Sequence, residues 1–283
     1  MLWTNYHCHT QYCDGRADAK DFVKAAVRAN LNKLGFSSHS PVPYHSDWNM
    51  KASDMPLYIN EVLYLKEKYC HQIEILLGME VDFIPGIFGP QSKEIKVLPT
   101  DYLIASVHYL DYFDDGTPWS VDGPVEWFDL GIRQIFNGDI RKFAKRFTAI
   151  SREMIEHNGF DIVGHIDKMY QHGSRYHDVG EKWYRGLVGE LLEAAGQQDL
   201  IVEINTKSYR KLGFFYPHQS FFKLLKDLNI RITINSDTHD PEKIDLAFNE
   251  AADALTQAGI STVFEFIDGE WTDCKLTKKG VLV

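Results

Sequence analysis

The feature that most constrains the fold of this chain is a pair of metal-binding side chains near each end of the sequence. His7 and His9 close the first apolar run, and Asp237 and His239 follow one of the last. In an extended strand, side chains two residues apart point to the same face, so each pair shares a face. Imidazole and carboxylate groups are ligands for zinc and related metals. The sequence therefore predicts a fold in which the two ends of the chain meet at one metal centre.

Between these pairs, short apolar runs alternate with longer segments of helical period, which is typical of βα units around a parallel sheet or barrel. Seven strands are predicted, at residues 2–7, 33–37, 74–80, 102–108, 161–166, 200–205 and 231–236. The main helices are predicted at residues 17–30, 53–69, 139–157, 181–195, 218–228 and 241–258. Residues 262–267 are expected to form an eighth strand or a closing hairpin. Residues 109–123 carry no strong helix or strand signal and follow a strand, so we interpret them as a functional loop.

Length, charge and cysteine content narrow the class of protein. A chain of 283 residues falls in the range of one barrel or α/β domain, so we expect a single domain over residues 1–283. The formal net charge of −10 argues against nucleic-acid binding, which needs a Lys/Arg surplus on one surface. No apolar run approaches the roughly 20 residues that cross a bilayer, and the N-terminus lacks a signal-peptide pattern. We therefore expect a cytoplasmic protein without a membrane partner, and the sequence leaves its oligomeric state open. Four cysteines without paired spacing are expected to be reduced thiols: Cys8, Cys13, Cys70 and Cys274.

Metal-binding side chains recur at the C-terminal ends of the predicted strands. In a parallel barrel these ends converge on one face, where active sites are built. Nine such donors exceed the needs of one tetrahedral zinc and suffice for two or three ions. Imidazole with carboxylate favours zinc, manganese or iron over calcium or magnesium. The candidate ligands are His7, His9, Asp14, His39, Glu80, His108, His165, Asp237 and His239.

Five short motifs connect the chain to a known superfamily. They are NYHCHT at 5–10, GFSSHS at 35–40, GMEVD at 78–82, SVH at 106–108 and NSDTH at 235–239. In combination they resemble the motifs of the polymerase and histidinol phosphatase (PHP) superfamily, from residue 1 to about residue 240. Longer similarity at 77–83, 101–108 and 203–206 most closely resembles the monofunctional L-histidinol-phosphate phosphatases.

The resemblance implies a fold, a cofactor and a reaction. The fold would be a distorted seven-stranded (β/α)7 TIM-like barrel, with the metal site at the C-terminal ends of the strands. The cofactor would be two or three divalent transition-metal ions, of zinc, manganese or iron. The reaction would be hydrolysis of L-histidinol phosphate to L-histidinol and phosphate, a step of histidine biosynthesis, by attack of a metal-activated hydroxide on phosphorus. The catalytic residues implied are Glu80, Asp237 and His239.

The family pattern also divides the nine ligands among the ions. The first ion would be held by His7, His9, Glu80 and Asp237. Glu80 would bridge to a second ion held by His108 and His165. The third ion would be held by Asp14, His39 and His239. Many relatives carry a histidine in the loop after the first strand, and this chain departs from them at Asp14.

Phosphate binding calls for fixed cationic groups near the metal face. Arg175 follows the fifth predicted strand, and Lys207 and Arg210 follow the sixth, so these three are candidate substrate-binding residues. The imidazole and ammonium of histidinol phosphate favour an aromatic wall and a carboxylate. The loop residues of that kind are Tyr44, Trp48, Tyr109, Asp111 and Trp119.

Three other functions fit parts of the pattern. An amidohydrolase-type barrel also opens with His-x-His, but it usually closes with a lone Asp, whereas this chain closes with Asp237-Thr238-His239. A phosphodiesterase or exonuclease of the same superfamily is disfavoured by the acidic net charge. A noncatalytic metal-binding accessory domain is the third alternative, since fold and ligands alone do not establish turnover.

Overall fold

The computed structural model describes residues 2–282. Within them the strands are β1 (Thr4–Asn5), β2 (Lys33–Phe36), β3 (Glu74–Asp82), β4 (Tyr102–Ser106), β5 (Tyr109–Tyr112), β6 (Pro118–Ser120), β7 (Ile162–Val163), β8 (Ile201–Asn205), β9 (Arg231–Asn235), β10 (Thr262–Ile267), β11 (Glu270–Thr277) and β12 (Gly280–Leu282). The helices are α1 (Ala19–Arg28), α2 (Met55–Tyr69), α3 (Lys93–Lys96), α4 (Val125–Gln134), α5 (Ile140–His157), α6 (Tyr170–Gly173), α7 (Lys182–Gln197), α8 (Tyr209–Leu212), α9 (Phe222–Asp227) and α10 (Phe248–Gln257). Two 3₁₀ turns lie at Gln219–Phe221 and Pro241–Lys243.

Seven parallel strands form a nearly closed barrel in the order β1-β2-β3-β4-β7-β8-β9. All seven predicted strands are confirmed. Strands of such a barrel are covered on both faces, so they read as continuous apolar runs, and β8 is buried along its whole length. Large apolar side chains of the surrounding helices pack on the outer face of the sheet, for example Phe22, Phe147 and Leu191.

Several strands end earlier than predicted because the residues that follow them leave the extended conformation. β7 stops at Val163 and β9 stops at Asn235. Just beyond them, His165 and Asp237 have φ values of 20° and 46°. Residues other than glycine rarely adopt this left-handed backbone conformation. The bend turns each of these two side chains over the mouth of the barrel.

Some connecting segments differ from the sequence-based expectation. The predicted helix at 241–258 is wrong as a continuous element, since a 3₁₀ turn at Pro241–Lys243 is separated from α10 by Ala247 at φ 57°. The stretch 109–123, expected to be a loop, contains the antiparallel pair β5 and β6. Residues 262–267 form a closing hairpin with β11, which was one of the two alternatives predicted. No helix within residues 2–282 is long and apolar enough to span a membrane.

The hairpin of β10 and β11 closes the barrel at the N-terminal ends of its strands. Phe266 and Trp271 from the hairpin pack with Tyr6 and Tyr102 of the barrel. The Tyr102 ring needs the glycine at position 78, because a Cβ there would lie 2.3 Å from the ring. These aromatic rings form the floor of the barrel, on the side opposite the metal-binding side chains.

Glu265 of this hairpin gives a pH-dependent contribution to stability. Its carboxylate is 2% exposed, and burial raises its pKa to about 7. The folded state therefore favours the protonated form, so this contribution is full below the unfolded pKa, near 4.5, and is lost as the pH rises through 7.

We predict that Glu265→Gln, which stays neutral, removes this pH dependence. The difference in free energy of unfolding between wild type and variant should fall by about 2 kcal/mol from about pH 5 to about pH 8. Urea denaturation at both pH values, with matched metal content, measures that difference. A difference that stays constant with pH would contradict the assignment.

Candidate metal centre

Glu80 lies at the centre of the cluster at the barrel mouth and is 1% exposed. Its Oε2 lies 2.9 Å from His39 Nδ1, 3.2 Å from His7 Nε2 and 3.6 Å from His9 Nε2. One oxygen of a carboxylate on β3 therefore faces three imidazole rings that come from the ends of β1 and β2.

The second oxygen of Glu80 faces the opposite side of the cluster. Oε1 lies 3.1 Å from His165 Nε2 and 3.9 Å from His108 Nε2. The Ser106 hydroxyl donates a hydrogen bond to the same oxygen at 2.6 Å, which fixes the orientation of the carboxylate. Glu80 thus separates two groups of histidines.

Asp14 completes an outer group near the solvent. Its Oδ2 lies 3.0 Å from His239 Nε2, and its Oδ1 lies 3.7 Å from His9 Nδ1 and 3.9 Å from His39 Nε2. Asp14 is 32% exposed and His239 is 15% exposed, whereas the inner residues are almost fully buried. The outer group is therefore the one most open to exchange with solvent.

Asp237 joins the inner and outer groups. Its Oδ1 lies 3.2 Å from His9 Nε2, 3.9 Å from His7 Nε2 and 3.6 Å from His239 Nδ1. The Lys207 ammonium donates to the same oxygen at 3.0 Å. The structure thus brings all nine of the candidate ligands predicted from the sequence into one cluster.

Within residues 2–282, three groups of side chains have ligand atoms close enough together to hold a metal ion. They are His9 with Asp14, His39 and His239; His7 with His9 and Glu80; and His39 with Glu80 and His108. Cys8 belongs to none of them, since it packs with Phe22 and Val23 on the outer side of the barrel. Cys8 therefore points away from the cluster that His7 and His9 enter.

Several buried atoms of the cluster lie close to one another but make no hydrogen bond of acceptable geometry, although buried polar atoms in proteins are normally satisfied. A divalent ion would satisfy such nitrogen and carboxylate oxygen atoms by coordination, so these residues fit a metal. The atoms are His7 Nε2, His9 Nε2, Asp14 Oδ1, His39 Nδ1 and Glu80 Oε2.

Protonation in the cluster favours ionised carboxylates. Burial acts to raise the pKa of Glu80, but His39 and His7 outweigh it and hold this pKa well below its ordinary value. Burial also acts to raise the pKa of Asp237, but Lys207 and His7 hold it well below its ordinary value. Both carboxylates therefore stay charged and present acceptor oxygens to a cation.

Two carboxylates that sequence reasoning did not select hold the histidines from behind. Glu203 Oε1 lies 2.6 Å from His7 Nδ1, and Glu203 Oε2 accepts from the backbone N–H of His165 at 2.9 Å. Asp82 Oδ1 lies 2.8 Å from His108 Nδ1. Such carboxylate–histidine pairs set the orientation of metal-binding rings. The signal available in the sequence was a charged residue on the same strand face as a neighbouring polar residue. Glu203 lies two positions before Asn205 in β8, and Asp82 lies two positions after Glu80 in β3.

A cavity of about 290 Å³ lies beside the cluster, lined by Lys168, Lys207 and Arg175 among others. Lys168, which was not a sequence candidate, is 2% exposed, and its ammonium lies 2.9 Å from Asp122 Oδ2 and over the Tyr216 ring. The cavity therefore presents two ammonium groups near Asp237.

Of the three candidate phosphate-binding residues, two line this cavity and one does not. Lys207 lines the cavity and contacts Asp237. Arg175 also lines it, but both terminal nitrogens of its guanidinium are engaged by Asp129, at 2.8 and 3.1 Å. Arg210 pairs with Glu250 and does not line this cavity.

The five loop residues considered for binding the imidazole and ammonium lie in different places. Trp48 stacks on Tyr109 with centroids 5.3 Å apart, and its edge lies against His39. Trp119, by contrast, is fully buried in the core and presents no surface to a ligand. The remaining two have other partners: Asp111 pairs with Arg146, and the Tyr44 hydroxyl meets that of Tyr112.

The chain belongs to the PHP domain family, whose match covers residues 5–207. A relative from Deinococcus radiodurans, named "Probable histidinol-phosphatase", is 27% identical over 262 residues, which cover 91% of this chain and 94% of that protein.

Two solved structures share the fold. The "putative histidinol phosphatase" of Listeria monocytogenes gives a TM-score of 0.76 at 20% identity, covering 87% of this chain and 99% of that chain. The histidinol phosphate phosphatase of Lactococcus lactis, solved with zinc, L-histidinol and phosphate, gives 0.70 at 19% identity, covering 99% of each chain.

We predict that Glu203→Gln weakens metal binding while leaving the candidate ligands in place. Loss of the carboxylate behind His7 should lower zinc affinity by roughly 10-fold, the usual range for such partners. Competition with a chromophoric chelator measures the affinity. The matched control is Glu242→Gln, at an exposed position, which should bind zinc like wild type; equal affinities for both variants would refute the role of Glu203.

Proposed function

We propose that this chain is a metal-dependent phosphatase that hydrolyses L-histidinol phosphate to L-histidinol and phosphate. The observation that carries the proposal is a buried histidine and carboxylate cluster with unpartnered ligand atoms, next to a cavity with two ammonium groups. The name of the 27% identical relative supports this substrate, as does the likeness in fold to a histidinol phosphate phosphatase solved with histidinol and phosphate. The whole of residues 1–283 would act as one domain, in a cytoplasmic biosynthetic role.

The cluster would hold two or three divalent ions, of zinc, manganese or iron. Glu80 would help to hold two of these ions, because its oxygens face different histidines. His7, His9 and Asp237 would share the first ion with it, and His108 and His165 the second. The third ion would be held by Asp14, His39 and His239, the most exposed group. When bound, such ions activate water as a nucleophile and offset the negative charge of a phosphate.

Side chains of this protein would bind the phosphate group and hold the ions in place. Lys168 and Lys207 would hold the phosphate oxygens, since both lysines line the cavity and the Lys207 ammonium contacts Asp237. Asp237 stays ionised, so its carboxylate would serve as a metal ligand and as the partner of the Lys207 ammonium. Glu80, Asp237 and His239 would be the catalytic residues through the ions that they hold, in keeping with the family pattern.

The cavity bears on the competing functions. Lys168, Lys207 and Lys211 line it with Asp122 as the carboxylate facing them, which suits a small phosphate monoester. A nucleic acid needs a longer basic track, and the chain carries a net charge of −10. The net negative charge therefore disfavours an exonuclease. The lysines of the cavity suit a phosphate group better than the uncharged acyl group of an amidohydrolase substrate.

The substrate is tested by one set of assays on the zinc- or manganese-loaded protein. We expect phosphate release from L-histidinol phosphate to exceed that from an aryl phosphate, and we expect no turnover of a phosphodiester or an N-acyl substrate. Equal weak activity on all four would overturn the proposed substrate. Removal of metal by a chelator should abolish release, and full activity without metal would overturn the metal dependence.

We predict that Lys168→Met and Lys207→Met each lower kcat/KM for L-histidinol phosphate by roughly 10-fold or more. A hydrogen bond to a charged group contributes about 1.5–3 kcal/mol, which sets that magnitude. Inhibition by inorganic phosphate should weaken in parallel. Lys223→Met is the matched control, because Lys223 is exposed on α9 and pairs only with Asp227 on the same helix. Unchanged kinetics in both cavity variants would exclude the two lysines from phosphate binding.

A further inference from the structure

Tyr6, the residue before His7, makes hydrogen bonds through its hydroxyl, its backbone N–H and its carbonyl. The Tyr6 hydroxyl donates to Glu265 Oε2 at 2.6 Å and accepts from the backbone N–H of Phe266 at 2.9 Å. Its backbone N–H donates to Asn235 Oδ1 at 2.8 Å, and its carbonyl accepts from the Tyr102 hydroxyl. Every polar group of Tyr6 is therefore held.

The carboxylate that receives the Tyr6 hydroxyl is itself fixed. Thr4 Oγ1 lies 2.9 Å from Oε1 and 2.7 Å from Oε2 of Glu265, so one residue of β10 binds two side chains of the first strand segment. Thr4, Tyr6 and Glu265 are all nearly or fully buried. The ammonium of Lys33 donates to the carbonyl of Phe266 and ties the same hairpin to β2. We call Thr4, Tyr6 and Glu265 the floor clamp.

The clamp acts at a point where the first strand breaks its alternation. Tyr6 faces the barrel floor and the next residue, His7, faces the metal cluster, while Cys8 packs outside the barrel. In a regular strand, consecutive side chains point to opposite faces. Here the ladder with β2 covers only Thr4–Asn5, and the Asn5 side chain accepts from the backbone N–H of His7. Pairing resumes at the His7 carbonyl, which accepts from the Thr238 N–H at 3.2 Å beside the bridge between Cys8 and Thr238. The backbone from Tyr6 to the His7 N–H is therefore held by side chains rather than by a strand ladder.

We propose that Tyr6 and Glu265 are positioning residues, through which the C-terminal hairpin orients His7 toward the metal. The hairpin lies outside residues 5–207, the part matched by the family, and follows every candidate ligand in sequence. The hydroxyl and the backbone of Tyr6 are both fixed. The position of the adjacent His7 backbone is therefore also fixed, and its ring is directed into the cluster. The proposal rests on the metal centre proposed above.

Tyr6→Phe tests the clamp, because it removes the hydroxyl and keeps the ring that packs on Trp271 and Tyr102. We expect zinc affinity, measured by chelator competition, to fall by roughly 10-fold, as for other residues that orient metal ligands. The visible absorption spectrum of the Co²⁺-loaded protein, which reports ligand geometry, should also change.

Glu265 offers a loss and a rescue at one position. Glu265→Ala should weaken zinc binding as Tyr6→Phe does, whereas Glu265→Gln keeps an acceptor oxygen for Tyr6 and should restore most of the affinity. Tyr58→Phe is the matched control. Tyr58, on α2, is as buried as Tyr6, but its hydroxyl donates to the Gly78 carbonyl and not to a residue of the floor clamp. We expect this control to match wild type in zinc affinity and Co²⁺ spectrum.

The outcomes separate the clamp from the metal centre. If wild type binds zinc and Tyr6→Phe and Glu265→Ala bind it equally well with the same Co²⁺ spectrum, the clamp is refuted and the proposed function stands. The clamp is also refuted if all variants, Tyr58→Phe included, lose affinity to the same extent, because the effect is then general destabilisation. If wild type itself binds no zinc, both the metal centre and the clamp are overturned.

Discussion

The structure depends on one buried carboxylate, Glu80, whose two oxygens face imidazole rings on opposite sides of the barrel mouth. An isolated charge in such a place is costly, with an effective desolvation penalty of several kcal/mol for each ion. The chain surrounds this charge with histidines from four strand ends and leaves several of their atoms without hydrogen bonds. Such an arrangement is stable when cations complete it, so metal binding and the stability of the barrel mouth are coupled.

The barrel supplies this cluster by leaving regular geometry where ligands are needed. Left-handed backbone at His165 and Asp237 turns two side chains inward at the ends of β7 and β9. A bridge between Cys8 and Thr238, rather than a full ladder, joins the first and last strands near the cluster. The metal face thus has two strained residues and an incomplete ladder, whereas the aromatic floor and its hairpin pack tightly at the other end of the strands.

Much of the site was predictable from the sequence because the ligands fall where parallel strands end. Strand periodicity and the C-terminal rule place His7, Glu80 and Asp237 on one rim without knowledge of any contact. Glu203 and Lys168 were not found, because a single charged residue in or just after an apolar strand carries no periodic signal. Arg210 shows the converse limit: its position after β8 predicted a place near the substrate, yet its side chain pairs with Glu250 of α10 instead.

By itself the sequence determined the seven strands, the order of the ligands and the kind of ion they suit, because these depend on local periodicity and on the chemistry of each side chain. Only the tertiary structure decided which nitrogen of each histidine faces the centre, which carboxylates stand behind the rings, and how Tyr6 and His7 both come to point inward. Those features depend on contacts between separate strands, from Asp82 with His108, 26 positions apart, to His7 with Glu203 and Tyr6 with Glu265, 196 and 259 positions apart. The spacing of residues along the chain does not predict such contacts, because they form only when the barrel closes.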